Sequence, residues 1–172
     1  KALQVLRDQV VRLLELHRKN IDLSQAIKSL SQAEKALSEN ERRYRELFMN
    51  SLGLICSHDL HGRLLLVNPA AAESLGYNAA ELVGRNMVEL LSPSVRRLWP
   101  SYLQRIRESE LDTGLLRVVT KTGEERIWVY RNLLRDERGQ EPYVIGHALD
   151  ITERKRLEEQ LREEAIRDPL TH

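Results

Sequence analysis

No glycine or proline interrupts the first 52 residues, and within them Leu16, Leu23, Leu30, Leu37 and Tyr44 recur at every seventh position. Those two residue types are the usual helix breakers, so their absence permits one long rod. A seven-residue recurrence means 3.5 residues per turn, which keeps one seam facing a partner and implies a left-handed coiled coil. The companion position is mixed. It reads Asn20, Ile27, Glu34, Glu41 and Phe48 in one register, or Lys19, Ala26, Ala33, Asn40 and Leu47 in the other. Polar layers cost stability while fixing register, which suits a helix pair that shifts between states. The repeat favours a self-associating helix over a lone amphipathic helix packed on its own domain. Ser38 followed by Glu41 has capping-box spacing and predicts a break or restart there.

The remaining chain changes period. Leu54, Ile55, Cys56, Ser57 and His58, a turn at Asp59, Leu60, His61 and Gly62, and residues 63–67 read as a β-hairpin. Short helices follow, each with a start signal: Asn68 before Pro69, Asn78 with Glu81, Asn86 with Glu89, and Ser92 before Pro93. The last is longer, about 94–109, and must bend or restart at Pro100. Three strand-like runs, 115–120, 126–134 and 143–151, are separated by turns containing Gly123 and Gly139. Hairpin, helical middle and three-strand meander make an α+β plan with one antiparallel sheet.

Composition narrows the function. The chain has 172 residues and a net charge of +1, and its 31% charged residues concentrate in 1–45 and 153–167 with both signs mixed. That is no electrostatic footprint for nucleic acid. The single Cys56 excludes an internal disulfide and a thiolate metal cluster, and fits a reducing, cytoplasmic setting. No apolar run approaches the roughly 20 residues that span a bilayer. No signal peptide is visible, and an anchor upstream of Lys1 stays open. His58 beside Asp59 is not an acid–base pair, because neighbours in a strand point to opposite faces. No nucleophile elbow, metal-spaced histidine pair or phosphate-cradling glycine loop occurs, so no catalysis is expected within this chain.

Several short stretches occur in order: Asn68-Pro69-Ala70-Ala71-Ala72, Leu75-Gly76-Tyr77, Glu81-Leu82-Val83-Gly84-Arg85-Asn86, Lys121-Thr122-Gly123-Glu124, and Gly146-His147-Ala148-Leu149-Asp150-Ile151-Thr152-Glu153-Arg154. In these, residues 39 to about 155 resemble a PAS domain with its PAC motif. The resemblance implies a five-stranded antiparallel sheet with short helices on one face enclosing a ligand cavity, flanked by long signalling helices. Residues 161–171, ending Ala165-Ile166-Arg167-Asp168-Pro169-Leu170-Thr171, resemble the start of a GGDEF diguanylate cyclase domain. The expected organisation is a coiled-coil helix at 1–38, a PAS domain at 39–152, a linker helix at 153–167 and the truncated start of GGDEF at 168–172.

Placed on the family pattern, strand alternation puts Leu54, Cys56, His58, Leu116, Val118, Trp128, Tyr130, Asn132, Val144, Gly146 and Ala148 on the cavity face. Ile127, Val129, Leu133, Ile145, His147 and Leu149 fall on the opposite face. That face is also apolar and needs cover, hence an expected homodimer through the N-terminal helix and the outer sheet face. The resemblance supports neither flavin nor haem. Met87 stands where flavin-binding relatives carry a reactive cysteine after the residue matched by Asn86. Ala148 matches their glutamine, and Trp99 stands where haem-binding relatives carry the proximal histidine. Neither cofactor nor metal is expected. The candidate ligand residues are Cys56, His58, Trp99, Trp128, Tyr130 and Asn132. Either they hold a small polar or aromatic ligand against Trp128, or the polar ones bond each other and backbone. At the exit, Thr152 is an expected N-cap for the last helix and Asp150 an expected partner of Arg131 or Arg135, the pair forming a signal relay. The output domain then lies in cis, a cyclase or, alternatively, a histidine kinase; a ligand-free spacer is the third reading.

Overall fold

The computed structural model describes residues 2–167, without the side chains of residues 5, 6, 8 and 167. Contacts separate the chain between Glu46 and Leu47 into two compact units. The first consists of most of helix α1, Ala2–Met49. It runs unbroken through Ser38 and Glu41, so the expected restart does not occur. A capping pair cannot end a helix by itself, and no glycine or proline follows until Gly53. Leu16, Leu23, Leu30, Leu37 and Tyr44 are all more than half exposed on this helix.

The second unit is built on an antiparallel sheet of β1 (Leu54–Asp59), β2 (Leu64–Val67), β3 (Leu111–Val119), β4 (Glu125–Arg135) and β5 (Tyr143–Asp150), in spatial order β2-β1-β5-β4-β3. Between hairpin and meander lie α2 (Pro69–Ser74), α3 (Ala79–Leu82), a 3-10 turn (Met87–Leu90), α4 (Pro93–Arg96) and α5 (Trp99–Ser109). The restart expected at Pro100 within 94–109 occurs, giving two helices, α4 and α5. The second starts with Pro100 in its first turn, where a missing N–H costs nothing. Helix α6, Thr152–Arg167, leaves directly from β5. The expected start of a GGDEF domain at 168–172 lies outside the described residues.

Capping follows the signals in the sequence. Asn68 Oδ1 accepts from Ala71 N at 3.0 Å, Asn86 Oδ1 accepts from Val88 N at 3.0 Å, and Asn78 N donates to Glu81 Oε2 at 2.8 Å. Asn68 does more than cap. Fully buried, it also accepts from Ile55 N at 3.0 Å and donates to Gly53 O at 2.9 Å, fixing where β1 begins. Strand alternation is visible in burial along β5, where Val144, Gly146 and Ala148 are buried and Ile145, His147 and Leu149 exposed. The main core packs the short helices onto the inner sheet face through Leu54, Leu64, Leu75, Leu82, Leu91, Val118 and Trp128. A second cluster gathers Tyr102, Ile106 and Val144 under α5.

Candidate functional site

Register places the inner-face residues in cross-strand rows. Cys56 pairs with Gly146, Gly146 with Asn132, and Asn132 with Asp112. The next row runs Leu54, Ala148, Tyr130 and Gly114. Small residues in the middle of each row leave space, and the helices close over it. The result is a cavity of about 40 Å³ lined among others by Leu54, Cys56, Leu64, Leu75, Leu82, Met87, Trp128, Tyr130, Asn132 and Ala148. Gly146 forms part of its wall: a Cβ there would stand 2.9 Å from Asn132 Oδ1 and 3.2 Å from Cys56 Sγ.

Of the sequence-predicted ligand residues, Cys56, Trp128, Tyr130 and Asn132 line this cavity, whereas His58 and Trp99 do not. His58 is completely buried beside it, its ring 5.5 Å from that of Trp99. Its Nδ1 lies 2.7 Å from Asp59 O, and a carbonyl can only accept, so Nδ1 carries the proton. Nε2 then accepts from the Tyr102 hydroxyl at 3.0 Å, and that hydroxyl in turn accepts from Asn132 Nδ2 at 2.8 Å. Burial lowers the His58 pKa, outweighing the Asp59 carbonyl and carboxylate, which favours the neutral ring this chain of bonds requires. Burial likewise raises Tyr102, and pushes the Cys56 thiol up to about 11, so both stay protonated.

Tyr130 reaches outward from the cavity and donates to Asp112 Oδ2 at 2.6 Å. Asp112 also receives Arg105 Nε at 2.9 Å and Nη2 at 3.1 Å, a two-point pair that ties α5 to β3. Those bonds, Arg105 first, hold Asp112 below the usual carboxylate range despite its burial. Burial and the Asp112 carboxylate push Tyr130 up to about 12. The bonds of His58, Tyr130 and Asn132 therefore go to protein partners, and the cavity wall is almost wholly apolar. Trp128 is the exception among its polar groups: its Nε1 is buried and makes no hydrogen bond. Tyr102, Asp112 and Arg105 were not singled out in the sequence. Trp99, Tyr102 and Ile106 share helical spacing, and Asp112 shares strand parity with Leu116 and Val118, so both signals were present.

The exit from β5 is a second constellation. Asp150 Oδ2 accepts from Arg126 Nη1 at 3.0 Å and Ser74 Oγ at 3.1 Å, while Oδ1 accepts from Thr152 N at 2.9 Å and from the Thr152 hydroxyl. The partner is thus Arg126, not Arg131 or Arg135. Asp150 stands opposite Trp128, and Arg126 is two residues along on the same face, whereas 131 and 135 have the opposite parity. Thr152 is not the N-cap either. Its hydroxyl oxygen accepts from Ile127 N at 2.9 Å, stitching α6 to β4, and the Asp150 carboxylate serves the helix start instead. Partial burial raises the Asp150 pKa, but the bonds from Thr152, Arg126 and Ser74 together hold it below the usual range. Arg156 Nη2, one turn into α6, adds a bond to Glu124 at 3.0 Å. Among the described residues no cluster of three or more His, Cys, Asp or Glu is placed to share a metal ion. None of the described helices is long and apolar enough to cross a membrane.

The profile of the PAS fold family matches residues 48–156, and the chain belongs to that family. It is similar in structure to the PAS domain of an HTR-like protein from Haloarcula marismortui, with 24% identity, 70% of this chain and 99% of that one covered, and a TM-score of 0.63. A domain of the sensory box sensor histidine kinase/response regulator from Geobacter sulfurreducens matches at 27% identity, covering 66% of this chain and 96% of that one, with a TM-score of 0.56. The PAS domain of a protein from Colwellia psychrerythraea matches at 19% identity, covering 65% and 97%, with a TM-score of 0.60. No curated protein matches the chain. The PAS fold is a regulatory fold of signalling proteins, not a catalytic one.

Proposed function

We propose that this chain is the dimeric cytoplasmic sensor module of a diguanylate cyclase, in which occupancy of the cavity is relayed through α6 to the output domain. One observation carries the relay. Trp128, in the cavity wall, stands directly opposite Asp150, and the Asp150 carboxylate holds the first residue of α6. A displacement of the wall is thus one residue pair away from the helix that leaves the domain. Asp150 and Thr152 are the relay residues, with Arg126, Ser74 and the Ile127 amide as their fixed points.

The ligand class follows from the wall. An apolar lining with its polar side chains already paired would charge several kcal/mol for a buried ion, which selects a small neutral molecule that is mostly apolar. Trp128 Nε1, buried without a partner, supplies a donor for an acceptor on that molecule once the surrounding side chains yield. Flavin and haem are not the cofactors of this reading. Native mass spectrometry of the purified protein tests it: a co-purifying neutral compound supports a sensor, and an empty cavity with no binder supports a spacer.

The output assignment rests on the resemblance of residues 161–171 to the start of a GGDEF domain. Paired α6 helices, meeting through Leu157, Leu161 and Ala165 or Ile166, would set the facing of two cyclase sites; all four residues are exposed. The likeness to a sensor histidine kinase domain from Geobacter sulfurreducens favours a kinase as the second reading. Assaying the full-length protein decides between them: conversion of GTP to cyclic di-GMP supports the first, and autophosphorylation from ATP supports the second. In either, Asp150→Ala should uncouple ligand from output, and unchanged regulation would count against the joint.

A further inference from the structure

Helix α1 exposes a seam whose composition changes along its length. In the register that places Leu16, Leu23, Leu30, Leu37 and Tyr44 at heptad position d, position a holds Leu13, Asn20, Ile27, Glu34 and Glu41. This register gathers the large side chains Leu13 and Ile27 into the seam. The alternative would place Arg12 and Lys19 there beside Ala26 and Ala33, burying two cationic layers and filling others poorly. Leu13, Leu16, Leu23, Ile27 and Leu30 are each at least 60% exposed, so the half from 13 to 30 is an apolar surface broken by a single amide. From 34 to 44 the a layers are both carboxylates.

The occupant of that seam is a second copy of this chain. A strict seven-residue repeat is self-complementary, since like positions meet like positions when two copies align in parallel. Leucine at d with Ile27 and Leu13 at a is the pattern of parallel two-stranded coils, and a lone Asn at a satisfies itself only against its counterpart. The flanking e and g positions are mostly Ser24, Ser31, Ser38, Ala26 and Ala33, which form no ion pairs that could choose orientation. Orientation therefore falls to Asn20. Resting on the dimer reading above, we infer that two α1 helices pair in parallel and in register, clamped over 13–30 and held apart by facing carboxylates over 34–44. The tight clamp lies far along the chain from the sheet, and the loose stretch adjoins it. Helix spacing next to the sensor can then change without the dimer coming apart.

Two measurements on the whole chain test this. Leu16→Cys, oxidised with copper phenanthroline, should form a covalent dimer, with wild type and its half-buried Cys56 as the blank. A disulfide found only when Leu16→Cys chains are mixed with Glu41→Cys chains, a d position against an a position, would mean antiparallel pairing and overturn the inference. Sedimentation equilibrium should show Glu34→Leu/Glu41→Leu dimerising at least tenfold more tightly than wild type, while Gln32→Leu/Glu39→Leu, on the outer face, changes affinity less than twofold. Equal effects from the two double variants would overturn the loose segment. A dimer in which Leu16→Cys does not cross-link would remove this register and leave the dimer standing. A monomer at every concentration would remove both.

Discussion

Single residues decide what the cavity can hold. Gly146 is the smallest side chain in the wall, and Gly146→Ala would press a methyl against Asn132 Oδ1 and Cys56 Sγ. Overpacking of this kind costs about 1–3 kcal/mol, and urea unfolding should show a loss in that range together with loss of any co-purifying ligand. Tyr102 has the opposite exposure to risk. Its hydroxyl is the shared partner of His58 and Asn132, so Tyr102→Phe orphans two buried groups at once. Equilibrium unfolding should register a loss of about 2–4 kcal/mol, and a change under 1 kcal/mol would mean that the network rearranges freely. Sequence alternation placed Cys56, Trp128, Tyr130 and Asn132 at the wall correctly. It could not say which polar atoms were already spoken for, because Tyr102 and Asp112 come from a helix and an edge strand whose docking only the fold supplies.

Between elements, the ties are carboxylates held by cations and hydroxyls. Asp112 joins α5, β3 and β4 through Arg105 and Tyr130, and Asp150 joins α2, β4, β5 and α6. Both carboxyls titrate below the ordinary aspartate range when folded. The unfolded chain therefore takes up protons first as pH falls, so their stabilisation is complete above about pH 4 and is lost as pH drops through the depressed folded values. Urea midpoints should decline on acidification below that point, and Asp112→Asn should decline less steeply than wild type. A parallel decline in both would remove Asp112 from the account. The helix starts at Asn68, Asn78 and Asn86 were legible because caps are local chemistry. The α6 start was misassigned for the converse reason. Thr152 has the side chain of a cap, but β4 passes close enough to claim its hydroxyl, and no local rule contains β4. The uninterrupted α1 shows the same limit, since a capping pair marks where a helix could begin without forcing one to end.

At the scale of the molecule, a five-stranded sheet grips its short helices over a small apolar cavity and hands its last strand to α6. Family membership was readable from the motif stretches, and the antiparallel sheet and its inner face from alternation and turn residues repeated along the chain, whereas the spatial order of the strands comes from the fold. Cavity size was not, since it depends on how far Met87, Leu82 and Leu75 reach across from the helices. The claim on which the rest depends is that the cavity wall and the first turn of α6 move together through Asp150. Gly146→Ala fills the wall on β5, on the strand face shared with Asp150 four residues later, and so imitates occupancy without needing the natural ligand. Amide hydrogen exchange at residues 152–155 tests the link most directly. The account predicts altered protection there in Gly146→Ala relative to wild type, and no such difference when both carry Asp150→Asn. Identical exchange at 152–155 in Gly146→Ala and wild type would contradict it.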